Sequence, residues 1–301
     1  MDRNIKSYGK VIELRSGADT RKILEITGRW SDDIIDEMLK CGVYYLTLNV
    51  ADGWRCTDYS FLSKIPHIKG LQIIAETATN LEAVSDLASL EMLNLSVLTD
   101  SVIEFGALEN LREVYLDWQP GYYKVFDSRN ICDITLRDTK STNISRMGNL
   151  KNLRSLELVN SEICELPHIS PKLFKIVLSK CKKLKNIESI QQASNLQWLE
   201  IRECKKIEEI TFIGNISGVS YLFLENMGEI ENIEFVCRLK KLKALWLAGD
   251  TNVIDGNFGC LEALQELTMV AFAQRKHYSH KISRKWNWDN LEVPGDILKR
   301  T

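Results

Sequence analysis

Four consecutive stretches open on the same apolar beat. They are Leu173-Phe-Lys-Ile176-Val-Leu178, Leu196-Gln-Trp-Leu199-Glu-Ile201, Val219-Ser-Tyr-Leu222-Phe-Leu224 and Leu242-Lys-Ala-Leu245-Trp-Leu247. Each reads L-x-x-L-x-L in aliphatic or equivalent residues. Three continue in step, through Cys181-Lys-Lys-Leu184-Lys-Asn-Ile187-Glu-Ser-Ile190, Cys204-Lys-Lys-Ile207-Glu-Glu-Ile210-Thr-Phe-Ile213 and Met227-Gly-Glu-Ile230-Glu-Asn-Ile233-Glu-Phe-Val236. A fixed period of this length describes one supersecondary unit that repeats and stacks on itself, and not a single closed core.

The spacing within a unit predicts its shape. In L-x-L the two apolar side chains share one face of a strand and the residues between them face the other way. The apolar residues that follow recur every third position, which suits 3₁₀ turns, in which residues i and i+3 eclipse. One unit is therefore a short strand, a turn and a tight return. Its apolar edge can be buried only against a neighbouring unit.

Numbered by the fourth position of the motif, strands are expected at Leu46, Leu71, Leu93, Val114, Ile134, Leu156, Ile176, Leu199, Leu222, Leu245 and Leu267, with gaps of 25, 22, 21, 20, 22, 20, 23, 23, 23 and 22. Ahead of them, Val11–Leu14 and Ile23–Ile26 read as short strands, and Leu24-x-Ile26 already lies on the repeat register. A helix follows, with Ser31 as N-cap, Ile34, Ile35, Met38 and Leu39 as its buried stripe and Gly42 as its end. The beat falters twice. Asp52-Gly53-Trp54 reads as a turn, and the segment from Asp117 to Asn130, with Pro120-Gly121 and the rings of Trp118, Tyr122, Tyr123 and Phe126, is expected to loop away from the array. Those rings either pack as a local core or offer a contact surface. After Met269 the beat stops. The expected organisation is an N-terminal cap at 1–42, repeats at 43–270 and a C-terminal cap or tail at 271–301, with Trp286, Trp288, Leu291, Val293 and Ile297 covering the last apolar edge.

These residues resemble leucine-rich repeats, closest in spacing to the short units of roughly 22 residues of the internalin-like and phosphatase-regulator-like classes. That family has Asn, commonly replaced by Cys, where this chain has Cys181 and Cys204; here the position also holds Ser161, Met227 and Asp250. The resemblance implies an α/β horseshoe solenoid. Its concave parallel sheet would have about 11–12 strands, with 3₁₀ or irregular convex returns, and it would serve as a scaffold for protein recognition.

Composition narrows the function classes. A formal net charge of −2 with 27% charged residues gives no global pull toward nucleic acid or membrane. No apolar run of 18 residues exists, and the N-terminal residues lead into no secretory signal, so a cytoplasmic protein without a membrane span is expected. The eight cysteines form no Cys-x-x-Cys. Free thiols in a reducing compartment is one reading; oxidation between Cys181 and Cys204 on adjacent repeats is the other. Of the four histidines, His277 and His280 are close in sequence but have no third ligand in metal spacing. No nucleophile elbow, phosphate loop, dinucleotide fingerprint or zinc-protease motif is present. No catalytic residue, metal or cofactor is therefore assigned, and the chain reads as non-enzymatic.

What remains is recognition, and the register says where to look. The outward strand positions form two columns. One runs Thr47, Gln72, Asn94, Tyr115, Thr135, Glu157, Val177, Glu200, Phe223, Trp246 and Thr268. The other runs Tyr45, Gly70, Met92, Glu113, Asp133, Ser155, Lys175, Trp198, Tyr221, Ala244 and Glu266. Trp198, Tyr221, Phe223 and Trp246 meet on adjacent strands as a solvent-facing patch rimmed by Glu200, Arg202 and Glu225. With Tyr115 they are the candidate partner-binding residues. Their alternative role is mutual packing. Glu113, Asp117, Asp133 and Glu157 form a rival acidic surface suited to a basic partner. The leading reading is a monomeric scaffold for an unidentified partner protein, of the intracellular bacterial adaptor or immunity type. The alternatives are a substrate-recognition module of a larger enzyme or immune-receptor assembly, and nucleic-acid binding through the basic run from Gln274 onward.

Overall fold

The structure, a computed structural model, describes residues 8–16, 19–139 and 144–281. Trp286, Trp288, Leu291, Val293 and Ile297, the expected C-terminal cover, lie outside the described residues. Among the described residues, thirteen strands are ordered in one sheet as they occur in the chain. The chain packs as two units, Met1–Thr135 and Leu136–Thr301.

The first unit begins with the hairpin of β1 (Gly9–Ser16) and β2 (Asp19–Ile26), paired antiparallel. Helix α1 (Asp33–Cys41) follows. Then come β3 (Tyr45–Asn49), β4 (Gly70–Thr77), β5 (Met92–Leu98) and β6 (Glu113–Asp117). From β2 to β6 every pair is parallel, with Leu24 opposite Leu46, Leu46 opposite Leu71, Leu71 opposite Leu93 and Leu93 opposite Val114. The expected register holds here because all five residues sit on the apolar face, and a slip of one position would turn each of them to solvent.

The helix differs from expectation at its start. Asp32 and not Ser31 is the N-cap residue, and Ser31 spends its hydroxyl on Asp33 at 3.3 Å. Ile34 and Met38 are buried, whereas Leu39 is half exposed. Gly42 ends the helix at φ +63, the left-handed region that glycine adopts without penalty.

The segment from Asp117 to Asn130 does not loop away. It forms the 3₁₀ helix Pro120–Asp127, with Tyr122, Val125 and Phe126 buried, and Tyr122 meeting Phe105 edge to face with centroids 6.4 Å apart. It is the return of its repeat with aromatic filling in place of aliphatic. Similarly, Asp52-Gly53-Trp54 ends a short 3₁₀ turn, and Trp54 goes inside to donate its Nε1–H to the buried Tyr59 hydroxyl at 3.0 Å.

β7 (Asp133–Arg137) spans the boundary between the units. The second unit contains β8 (Ser155–Val159), β9 (Lys175–Ser179), β10 (Trp198–Arg202), β11 (Tyr221–Glu225), the short β12 (Glu229–Ile230), β13 (Ala244–Ala248), the short β14 (Asn252–Val253) and β15 (Met269–Phe272). β12 and β14 form a separate two-stranded ladder. The period-three returns are 3₁₀ helices, as expected: Glu188–Gln192, Thr211–Asn215, Glu234–Arg238 and Gly259–Ala263. A carboxylate or amide placed two residues ahead starts several of them. Asn186 accepts from Glu188 N at 2.8 Å and Asn232 from Glu234 N at 3.1 Å.

The last strand corrects the sequence reading. Leu245 pairs with Val270, not Leu267, so Met269 and Ala271 stand where Glu266 and Thr268 were expected. The extra residues lie between β14 and the next 3₁₀ turn: Asn252 still pairs with Glu229, but the turn begins at Gly259, six residues after Val253, where in the preceding repeat Glu234 follows Ile230 by four. At the corner after β13 the interior ladder atom belongs to Thr251, not Asp250: its Oγ1 accepts from Met227 N at 3.1 Å and lies 3.3 Å from Leu224 O.

The same ladder runs through Cys181 and Cys204. Cys181 Sγ lies 3.6 Å from Leu158 O and takes a backbone hydrogen bond from Ser161; Cys204 Sγ lies 3.7 Å from Leu178 O and takes one from Cys181. The hydrogen bond between these two thiols, reinforced by burial, pushes Cys204 far above the usual thiol range and keeps it protonated. Both are free thiols, as the first of the two readings had it and not the alternative of their oxidation; that reading fails only at Cys237 and Cys260, which form a disulfide.

Beside the ladder, one corner residue per repeat is left-handed: Asp138, Asn160, Lys180, Glu203 and Asn226 all have φ between +52 and +56. Each turns its N–H onto the last strand residue of the next repeat, as Lys180 N does to Arg202 O at 2.9 Å.

Two outcomes follow for stability. Cys204→Ala strips the ladder of its sulfur and leaves buried backbone groups unpaired, at a cost of about 1–3 kcal/mol, whereas Cys204→Ser loses less; equilibrium urea unfolding separates them. Burial raises the Tyr59 hydroxyl to about 12 from 10.0. The folded value is the higher one, so this stabilisation is complete below pH 10 and is lost as pH rises toward about 12. The loss approaches ~1.4 kcal/mol per pH unit, and urea midpoints across that window should fall less steeply in Tyr59→Phe.

Candidate functional site

The outward residues of β9 to β15 form the candidate site, all within the second unit. Parallel pairing sets Lys175, Trp198, Tyr221, Ala244 and Met269 side by side in one column, and Val177, Glu200, Phe223, Trp246 and Ala271 in the next. Alternation along each strand places them opposite the leucine core. Two residues on, Ser179, Arg202, Glu225 and Ala248 form the third column.

The four rings do meet, but not as an open patch. Tyr221 is 2% and Phe223 8% exposed, so both are buried and not solvent-facing as the sequence implied. With Ala244 and Met269 they form a small apolar cluster, against which the half-buried Trp198 and Trp246 pack. Trp198 stacks on Tyr221 and on Phe223, with centroids 5.2 and 4.7 Å apart and planes within 28° and 26°. Such offset stacks add about 0.5–1.5 kcal/mol each beyond area burial. The mutual-packing role is therefore real for Tyr221 and Phe223. The rings of the site that keep some exposure are Trp198 and Trp246, with Lys175 Nζ 5.5 Å from the centroid of the Trp198 ring.

The polar rim is tied to the rings. Glu200 is 5% exposed, takes the Trp198 Nε1–H at 3.2 Å and is ion-paired with Arg202, which also reaches Glu225 at 3.5 Å. A carboxylate that deep in a ring cluster is held by charge-assisted contacts on both sides. The chain Trp198–Glu200–Arg202–Glu225 thus fixes the indole orientation across two strands.

Tyr115 belongs to the first unit, on β6 opposite Asn94. In that unit Gly70 has a visible reason. A Cβ there would sit 2.1 Å from the Tyr45 ring, so only glycine lets this ring lie across β4, where Arg21 stands 5.4 Å from its centroid. A polar cleft of about 220 Å³ opens beside it, lined by Arg21, Tyr45, Glu91, Met92, Arg112 and Glu113 among others. The acidic column is partly used up: Asp117 receives the Ser96 hydroxyl.

His277 and His280 do not converge. His277 Nε2 lies 3.0 Å from Val253 O, while His280 sits between Ser279 Oγ at 2.7 Å and Glu262 at 2.9 Å. Sequence reasoning did not find this Ser279–His280–Glu262 chain. It is exposed, and Ser279 Oγ already accepts from Phe258 N at 3.0 Å, so it ties the chain after β15 to the last turn. Tyr278 does the same, buried against Phe258 and Phe272. Among the described residues no three His, Cys, Asp or Glu side chains are grouped to hold a metal. No helix among them is long and apolar enough to cross a membrane.

The sequence matches no protein-family model and no curated protein. Solved structures do resemble it. A leucine-rich-repeat protein of Leptospira interrogans aligns over 83% of this chain and 72% of its own, at 14% identity and a TM-score of 0.51. TLR13, solved in complex with ssRNA13, aligns over 82% of this chain and 38% of its own, at 21% identity and a TM-score of 0.56. An internalin, InlF, of Listeria monocytogenes aligns over 85% and 87%, at 15% identity and a TM-score of 0.48. The fold is that of the leucine-rich repeats, with short units, 3₁₀ returns and a mostly parallel sheet of 13 strands.

Trp198→Ala removes two ring stacks and opens the cluster to water, with an expected loss of about 2–3 kcal/mol in urea unfolding. Trp198→Phe, which retains a stacking ring, should lose clearly less.

Proposed function

We propose that the protein is a non-enzymatic recognition scaffold that binds a partner protein across the outward face of β10–β13. The observation behind this reading is the pair of half-buried indoles, Trp198 and Trp246, packed against a floor of buried rings, with Trp198 oriented by the Glu200–Arg202–Glu225 chain. Rigid tryptophans beside arginine are the usual composition of an interface hot spot, because little conformational freedom is lost on docking. Tyr221 and Phe223 serve as support beneath the contact, and Glu225 and Arg202 as its polar rim.

A cytoplasmic location is part of this reading: six of the eight cysteines are in no disulfide, as in reducing compartments, where the occasional disulfide tends to be a redox-responsive one. The role of an adaptor or immunity-type protein, or of a recognition module in a larger assembly, would use the same face. Nucleic-acid binding through the basic run has less support. Within the described part of that run Arg275 is committed to Asp250 O and Thr251 O at 3.2 and 3.4 Å.

The test is comparative capture from native extract by wild-type protein and by Trp246→Ala, with thermal melts to show that both are folded. A specific partner should be bound by wild type and weakened on the order of thirtyfold by the substitution, the scale of a hot-spot residue. Undiminished capture by a folded Trp246→Ala would remove this face as the site.

A further inference from the structure

Cys237 and Cys260 lie on the 3₁₀ turns of successive repeats, Glu234–Arg238 and Gly259–Ala263, 23 residues apart, at the fourth residue of the first turn and the second residue of the next. Their disulfide spans a Cα–Cα distance of 5.7 Å, within the range of native bridges. The loop that it closes contains β13, and therefore Ala244 and Trp246.

A second pair, Cys181 and Cys204, is also one repeat apart but is sealed from solvent with both sulfurs occupied in the ladder. Cys237 and Cys260 are only half-buried, on the side of the returns, where a small thiol can reach them. Of the two stacked pairs, one is wired into the core and the other is accessible.

We propose that the Cys237–Cys260 bond is a redox switch for the outward face of the second unit. Closed, it clamps the turns on either side of β13 and fixes the floor made by Ala244, Phe223 and Met269 beneath Trp246. Open, it leaves β13 held by its ladder hydrogen bonds and packing alone. The inference names a regulation of the face assigned above and rests on that reading for its consequence, though not for its test.

The chemistry is thiol–disulfide exchange with a cellular thiol of the glutathione type. A reductant thiolate attacks one sulfur, forming a mixed disulfide and releasing the other cysteine as a thiolate, which takes a proton. A second reductant thiolate then displaces the first cysteine. Two electrons pass from two reductant thiols to the bond, leaving two cysteine thiols and one reductant disulfide; the oxidised reductant reverses the step.

The test uses the full chain without a partner. Hydrogen exchange read by mass spectrometry is compared for the oxidised protein, the protein reduced by excess glutathione, and the double variant Cys237→Ser, Cys260→Ser. The switch predicts amide exchange at residues 244–248 and 269–272 roughly a hundredfold faster in the reduced protein and the variant, the scale of a lost loop constraint, with β8 and β9 unchanged. Equal exchange in oxidised and reduced protein overturns it. So does alkylation of Cys237 and Cys260 in folded, unreduced protein, and so does loss of protection across β8 and β9 as well, which makes the bond a general staple. Should the double variant not fold, the oxidised and reduced wild-type samples still decide. A face that switches in this way while Trp246→Ala keeps its partner would sink the docking reading and leave the switch standing.

Discussion

An apolar edge that a single repeat cannot bury is the constraint on which everything else depends. Leu199, Ile201, Leu184, Ile187 and Ile190 are all fully buried or nearly so, yet within one repeat they have partners on one side only. Burying each such side chain is worth about 1.5–3 kcal/mol, and only the next repeat supplies the missing half of that burial. Stacking aligns the strands in parallel, and parallel alignment collects the outward residues into columns. The ring cluster is thus a by-product of core packing on the opposite face: Leu199 opposite Leu222 and Leu222 opposite Leu245 force Trp198 beside Tyr221 and Phe223 beside Trp246.

That logic explains why so much of the architecture was legible. A period of two decides which residues share a face, so the columns from Ser155 to Trp246 were readable without coordinates. The last strand was not. Leu264-Gln-Glu-Leu267-Thr-Met269 fits the leucine motif, but in the fold it is the turn that sets the strand. Strands begin ten residues after their turns begin, at Glu188 and Trp198, Thr211 and Tyr221, and Glu234 and Ala244, and again at Gly259 and Met269. Counting from the 3₁₀ turn would have placed β15 correctly. Phe272 confirms that register by stacking on Phe258 with centroids 4.4 Å apart.

Burial within the site was beyond the sequence for a different reason. Periodicity gives direction but not depth, and depth depends on how large neighbours cover one another. A tryptophan laid over both Tyr221 and Phe223 turns two outward residues into interior ones. The disulfide escaped for a related reason. Cys237 and Cys260 lie on turns, where neither the strand motif nor the ladder position directs attention, while Cys181 and Cys204 occupy the conspicuous place and use their sulfurs for backbone groups.

The ladder has a direction. Ser161 is served by the sulfur of Cys181, Cys181 by that of Cys204, and Met227 by the hydroxyl of Thr251, so each rung at this corner is completed by an atom from the rung after it. The left-handed corner residues repeat the rule, each sending its N–H forward to the following strand. Damage at one rung is therefore felt upstream: when a later repeat opens, its predecessor is left with bare donors, and the stack unzips toward the N-terminus.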